Sequence, residues 1–322
     1  MLTKIFMKKT AILFPGQGSQ YIGMGQAFLE ADQDAAALME MAEEVSGFPL
    51  KKLCLEGPIE DLTRVLHLQP ALTAINLICW QQLKKVLPDL VPAYAGGHSL
   101  GEYSALQAAG VLSAKDALTL VTKRGEFMER EGAAHPGGML AILGLTIEEV
   151  DNLLGDYTGP GVVVVANHNA EQQIIISGDQ EGLDGFSAVC KENGAKKIVA
   201  LKVSVANHSP LVAGAVADFS ACMAEIPFHA PDIPVLFNVT ASQETDPQTI
   251  RDIMARQIAS RVRWYESMNR MIADGVEVFL ELGPKTVLTG MLRKILPRKS
   301  PVLCLQADTP ELLEKAADVI TG

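Results

Sequence analysis

Chemistry is most legible in this chain at Gly97-His98-Ser99-Leu100-Gly101. A G-x-S-x-G pentapeptide arises often by chance, so its setting decides its meaning. Here a short apolar run, Val91 to Ala95, precedes it and a helical stretch, Gly101 to Ala109, follows. A strand that turns sharply into a helix strains the backbone of the serine at the turn. Glycine two residues to either side keeps the flanking elements from colliding with it. The hydroxyl then stands at the positive end of a helix, where a developing oxyanion is stabilised. The same letters also suit a glycine-rich turn in which Ser99 merely caps a helix. The strand before and the helix after favour a nucleophile.

A serine nucleophile needs a base, most often histidine. The candidates are His67, His98, His135, His168, His208 and His229. His67 falls in a helical stretch, and His135 and His229 sit in proline-flanked loops. His98 adjoins the serine, but its side chain is directed away and supports the turn. His208 follows a strand, in the small-residue loop Val205-Ala-Asn-His-Ser-Pro210, and is favoured. No acidic residue stands out as a third triad member, which points to a base oriented by a backbone carbonyl.

These residues need a frame. Ala11 to Phe14 reads as a buried strand closed by Pro15-Gly16, and residues 26–46 and 59–87 have helical periodicity, the second broken by Pro70. With Val91 to Ala95 as a second strand and helices after it, including Ala114 to Glu131, the order implies a parallel sheet with covering helices. Between about residues 132 and 205 the pattern becomes β-α-β-β-α-β. Its pieces are Gly138 to Leu143, Ile147 to Leu154, Val162 to Ala166, Gln173 to Ser177, Gly178 to Gly194 and Lys197 to Val203. That is the ferredoxin-like split pattern. Alternation then resumes, with Val235 to Val239 and Val276 to Glu281 as strands. The expected fold class is α/β: a large parallel-sheet domain (1–131 and 206–322) interrupted by a small ferredoxin-like one (132–205).

Bulk properties agree. The 322 residues are 48% hydrophobic and 20% charged, an ordinary globular composition. No apolar run approaches the roughly 20 residues needed to span a bilayer. The basic start is followed by only Ala11 to Phe14, too short for an export signal; Met7 is as plausible a start as Met1. Five scattered cysteines without C-x-x-C spacing argue against a disulfide framework or a metal site and fit a reducing cytoplasm. The formal charge of −11 disfavours nucleic acid as a partner.

Several segments beyond the pentapeptide match a known family in order and spacing. Phe14-Pro-Gly-Gln-Gly-Ser-Gln20, Gly97-His-Ser-Leu-Gly-Glu-Tyr103, Arg124-Gly, Asn167-His-Asn169, Val203-Ser-Val-Ala-Asn-His208, Arg256-Gln257 and Glu281-Leu-Gly-Pro284 resemble malonyl-CoA:acyl carrier protein transacylases. The likeness spans about residues 8 to 300. It implies an α/β-hydrolase-like large domain with a ferredoxin-like insertion, and a monomer. It implies malonyl-CoA and holo acyl carrier protein as partners, with coenzyme A thioester as substrate and no further cofactor.

Residue by residue, the resemblance makes Ser99 the nucleophile and His208 its base. It places the backbone N–H groups of Gln17 and Leu100 around the oxyanion. Arg124 would hold the free carboxylate of malonate, because guanidinium and carboxylate match as a two-pronged pair. Gln257 would lie beside the nucleophile, its backbone carbonyl orienting His208. Asn167 and Asn169 match polar positions near the active-site mouth, though either could equally cap a loop. Asn207, before the histidine, departs from the serine or phenylalanine more usual there and bears on malonyl against methylmalonyl choice; the overall match points to malonyl.

Two other readings use the same residues. An acyl hydrolase would clear carrier proteins with the same serine and histidine, and a scaffold subunit would keep the fold without chemistry. Gly16-x-Gly18 as a dinucleotide turn fails for want of the third glycine. Fatty acid and polyketide synthesis are not distinguished.

Overall fold

The computed structural model describes residues 7–203 and 205–322; Met1 therefore lies outside the described residues. Among the described residues eight strands form two sheets: β1 (Thr10–Phe14), β2 (Tyr94–Gly97), β3 (Gly138–Leu143), β4 (Val163–Ala170), β5 (Gln173–Gly178), β6 (Lys197–Ala200), β7 (Val278–Leu282) and β8 (Leu303–Ala307). The larger sheet is parallel, in the order β2-β1-β7-β8. β1 is buried along its whole length, as a parallel strand covered by helices on both faces must be, and this is why it reads as an unbroken apolar run. Its register pairs Phe14 with Gly97. The loops leaving the carboxyl ends of β1 and β2 therefore meet at one edge, where open α/β sheets bind ligands.

The smaller sheet is antiparallel, ordered β4-β5-β3-β6, as a ferredoxin-like unit requires. Alternate residues of its strands serve two faces. Ile142, Val165, Ile174 and Ile176 pack under the helices Ile147–Gly155 and Gln180–Glu192, with Val150, Leu183 and Phe186. Met139, Ala141 and Ile175 cluster on the other face with Leu201 and Val203. That second face becomes a wall of the cleft described below.

Several elements differ from the sequence reading, each for a local reason. Residues 26–46 form two helices, Gln26–Ala31 and Gln33–Ser46, because extended Asp32 caps the second through its side chain. Residues 59–87 likewise form two helices, Ile59–Thr63 and Val65–Val86, and Pro70 stays inside the latter. Pairing in the second strand starts at Tyr94 rather than Val91: Pro92 has no N–H to give, and Val91 is exposed. β6 stops at Ala200, short of Val203. Val235 to Val239 is not a strand; only Val235 bridges Ala95. There the Asn238 N–H donates to Glu102 and its C=O accepts from Arg263 N–H, so the ladder positions are already taken. β8 and the closing helix Pro310–Thr321 were not read from the sequence.

Candidate active site

Ser99 sits between β2 and the helix Gly101–Ala108 with φ 51°, in the left-handed region that costs a non-glycine residue about 1–2 kcal/mol. The flanking glycines are sterically required. A Cβ on Gly97 would lie 2.0 Å from the Gly101 carbonyl carbon, and one on Gly101 would lie 2.0 Å from the Phe14 carbonyl oxygen. Side chains hold the strained turn. Ser99 N–H donates to Asn238 Oδ1 at 2.7 Å, and Ser99 C=O accepts from Gln257 Nε2 at 2.8 Å.

The hydroxyl meets its base. Ser99 Oγ lies 2.8 Å from His208 Nε2, and His208 Nδ1 lies 3.0 Å from the Gln257 backbone oxygen. A carbonyl only accepts, so Nδ1 carries the proton and a neutral ring leaves Nε2 free to receive one from Ser99. His208 is neutral: burial, and then the Arg124 charge beside it, push its pKa down to about 3. A carbonyl in the third position explains why no carboxylate partner was evident in the sequence.

Arg124, on the helix Ala114–Ala134, is 2% exposed. Its guanidinium donates to Ser99 Oγ at 3.2 Å, to Gln257 Oε1 at 3.2 Å and to Gln69 Oε1 at 2.9 Å. Among the described residues its Nε has no partner. A cation and the serine hydroxyl thus share one point, with unused donor capacity for an anionic ligand.

A cleft of about 230 Å³ opens over Ser99. Gly16, Gln17 and His98 line one side, and Met139, Ala141 and Ile175 of the small sheet, with Leu201 and Val203 just after β6, line another. Asn167, Asn169, Asn207 and His208 also line it. Asn167 and Asn169 belong to β4 rather than to a loop, and Asn169 Oδ1 lies 2.8 Å from His98 Nε2. His98 supports the turn in this way, with its ring edge-on to Trp264. Gln257 is fully buried behind Ser99 and, like Arg124, is not part of the cleft wall. The glycine loop after β1 approaches closely: a Cβ on Gly16 would lie 2.4 Å from His98 O and 3.6 Å from Leu100 N. Among the described residues, neither Gln17 N–H nor Leu100 N–H donates to a protein acceptor. Two free amides beside a reactive oxygen can bind an oxyanion.

Sequence reasoning missed Gln69, Glu102 and Asn238. Gln69 and Glu102 stand out only as polar residues inside otherwise buried helices. Glu102 is wholly buried, which pushes its pKa up to about 7.

The two shifts oppose each other in their effect on stability. Unfolded histidine titrates near 6.5, so between there and about 3 the unfolded chain binds a proton that folded His208 refuses. Its stabilisation is complete above pH 6.5 and declines as the pH falls. Glu102, raised instead, favours the folded chain as the pH falls from about 7. Removing the histidine isolates its share: from pH 7 to pH 5, thermal unfolding of wild type should lose more Tm than that of His208→Gln. Parallel losses in the two proteins would contradict the buried neutral histidine.

Among the described residues no group of three or more His, Cys, Asp or Glu could hold a metal ion, and no helix is long and apolar enough to cross a membrane.

Known proteins resemble this chain over nearly its whole length. Residues 12–308 match the acyl transferase domain family. The malonyl CoA-acyl carrier protein transacylase of Bacillus subtilis is 40% identical over 95% of this chain and 96% of its own, and that of Haemophilus influenzae 38% over 90% and 93%. The solved transacylase of Coxiella burnetii superposes with a TM-score of 0.94 at 32% identity, covering 99% of this chain and 100% of its own. A malonyl-transacylase solved in complex with a type II polyketide acyl-carrier protein gives 0.90 at 33%, covering 97% and 99%. In sequence and in backbone alike, the chain belongs to the family of malonyl CoA-acyl carrier protein transacylases, built on the acyl transferase domain.

Proposed function

We propose that this protein transfers malonyl from coenzyme A to the phosphopantetheine thiol of acyl carrier protein, through a malonyl ester on Ser99. The observation that carries the reading is the convergence on one oxygen: Ser99 Oγ contacts both the base, His208 Nε2, and the cation, Arg124. Ser99 gives its proton to His208 as it attacks the thioester carbonyl. The Gln17 and Leu100 amides receive the resulting oxyanion, worth on the order of 10²–10³ in rate per donor. Collapse expels the coenzyme A sulfur, which takes the proton from His208. The carrier thiol then enters the same cleft and the steps run in reverse.

Arg124 supplies selectivity. A malonyl carboxylate displaces the neutral partners from the guanidinium as a charge-assisted pair, which acetyl cannot do. Asn167 and Asn169 line the mouth, and Asn207 lies beside the base. Residues 132–205 form the small unit, with 1–131 and 206–322 as the catalytic domain. The coenzyme A thioester is substrate, and no resident cofactor enters the scheme. Five free cysteines suit a reducing cytoplasm. Fatty acid and polyketide assembly both use this transfer.

The test is the fate of the acyl-enzyme. Protein loaded from radiolabelled malonyl-CoA and then mixed with holo acyl carrier protein should deliver its label to the carrier faster than it releases malonate. Faster release of free malonate would make the protein a hydrolase instead.

A further inference from the structure

Glu102 lies three residues beyond the nucleophile, on the first turn of the helix Gly101–Ala108, and is wholly buried. It touches neither the cleft nor Ser99 Oγ. Its Oε2 accepts from Gln257 Nε2 at 2.8 Å and its Oε1 accepts from the Asn238 backbone N–H at 2.7 Å. Both carboxyl oxygens accept, and above about pH 7, where Glu102 is ionised, it has no proton to donate, so an amide that meets it presents N–H. That requirement, together with the acceptor Ser99 C=O, fixes which way Gln257 faces. With Nε2 turned to Glu102 and to Ser99 C=O, Oε1 is left for Arg124. Asn238, anchored by its own N–H on Glu102, offers Oδ1 to Ser99 N–H and Nδ2 to Gly97 C=O.

Both backbone polar groups of Ser99 thus meet side chains of residues that Glu102 anchors, and Ser99 C=O also accepts from the Glu102 backbone N–H at 3.1 Å. The φ of 51° is one an L residue does not choose unaided, and these contacts impose it. Gln257 adds a second consequence, because its backbone carbonyl orients His208. We infer that Glu102 is a positioning residue for the acyl transfer, setting the polarity of the Gln257 amide and seating Asn238 so that Ser99 and His208 stay in reacting register.

The inference rests on Ser99 as nucleophile, and its test is separable from the malonyl reading. Glu102→Gln keeps the shape but replaces one acceptor oxygen by a donor, so one of the two contacts must face N–H with N–H. An ångström of misplacement at a reacting pair costs on the order of 10²-fold. Rapid-quench acylation should fall by about that factor for malonyl-CoA and for acetyl-CoA alike, and so should labelling by a fluorophosphonate. KM for malonyl-CoA should not rise, because Arg124 is kept. Asn238→Ala should repeat the loss by freeing Ser99 N–H and Gly97 C=O, and the double variant should lose less than the product of the two. If Glu102→Gln folds poorly, Asn238→Ala alone carries the test. Variants that label with fluorophosphonate at the wild-type rate, at whatever cost in Tm, would overturn the inference. So would a loss confined to malonyl-CoA, which would act through Arg124. Wild type that reacts with fluorophosphonate but not with malonyl-CoA would count against the proposed substrate and leave the positioning role standing.

Discussion

Ser99→Ala should take up no acyl group from malonyl-CoA, where wild type takes one per chain, and its transfer rate should fall by a factor on the order of 10⁵–10⁶. Intact-mass spectrometry after brief incubation reads the first, and transfer to carrier protein the second. The fold should survive. Alanine meets the same left-handed strain at φ 51° that serine already bears. The contacts to Asn238 and Gln257 use the backbone of residue 99, not its side chain. What disappears is the oxygen between His208 and Arg124. Unchanged Tm with no adduct assigns the loss to chemistry. An adduct that persists on Ser99→Ala would place the nucleophile elsewhere and remove the basis of the proposed mechanism.

The second large effect belongs to Arg124→Ala. Truncating one partner of a buried charge pair costs about 2–5 kcal/mol, so malonyl acylation should fall on the order of 10²–10³-fold. Acetyl-CoA has no carboxylate to lose, and its acylation should stay within about tenfold of wild type, given the size of neutral hydrogen-bond losses. The preference between the two thioesters should therefore collapse. A further consequence comes from charge. Arg124 is the second cause, after burial, of the low pKa of His208, so removing it moves that pKa back toward the ordinary value. The acidic limb of the acylation profile should shift to higher pH in the variant. Parallel rates of single-turnover labelling with malonyl-CoA in the two proteins would sink the carboxylate assignment.

Much of this site is legible in the sequence. The nucleophile turn depends on glycines at fixed offsets and on a strand that becomes a helix, and both are properties of a dozen consecutive residues. Parallel and antiparallel sheets are separable by element order: strands alternating with helices imply the parallel sheet, while the β-α-β-β-α-β run of residues 132–205 reads as the ferredoxin-like split pattern. Arg124 and Gln257 were different in kind. Alone, an arginine in mid-helix is a surface residue, and only the likeness to a family singled it out.

Tertiary structure alone decided how the polar groups pair. Ser99, Arg124, His208 and Gln257 come from four separate segments, and the partners that hold them, Gln69, Glu102 and Asn238, carried no local signal of their role. A buried polar atom must find a partner, but the identity of that partner depends on which distant segment folding brings within 3 Å. The same rule undid the expected strand at Val235 to Val239, whose apolar composition suited pairing. Asn238 N–H went to the Glu102 carboxylate instead, 136 residues away in sequence. Ser99 itself was evident from its neighbours. Its orientation, its base and its counter-cation were settled by contacts that sequence spacing does not encode.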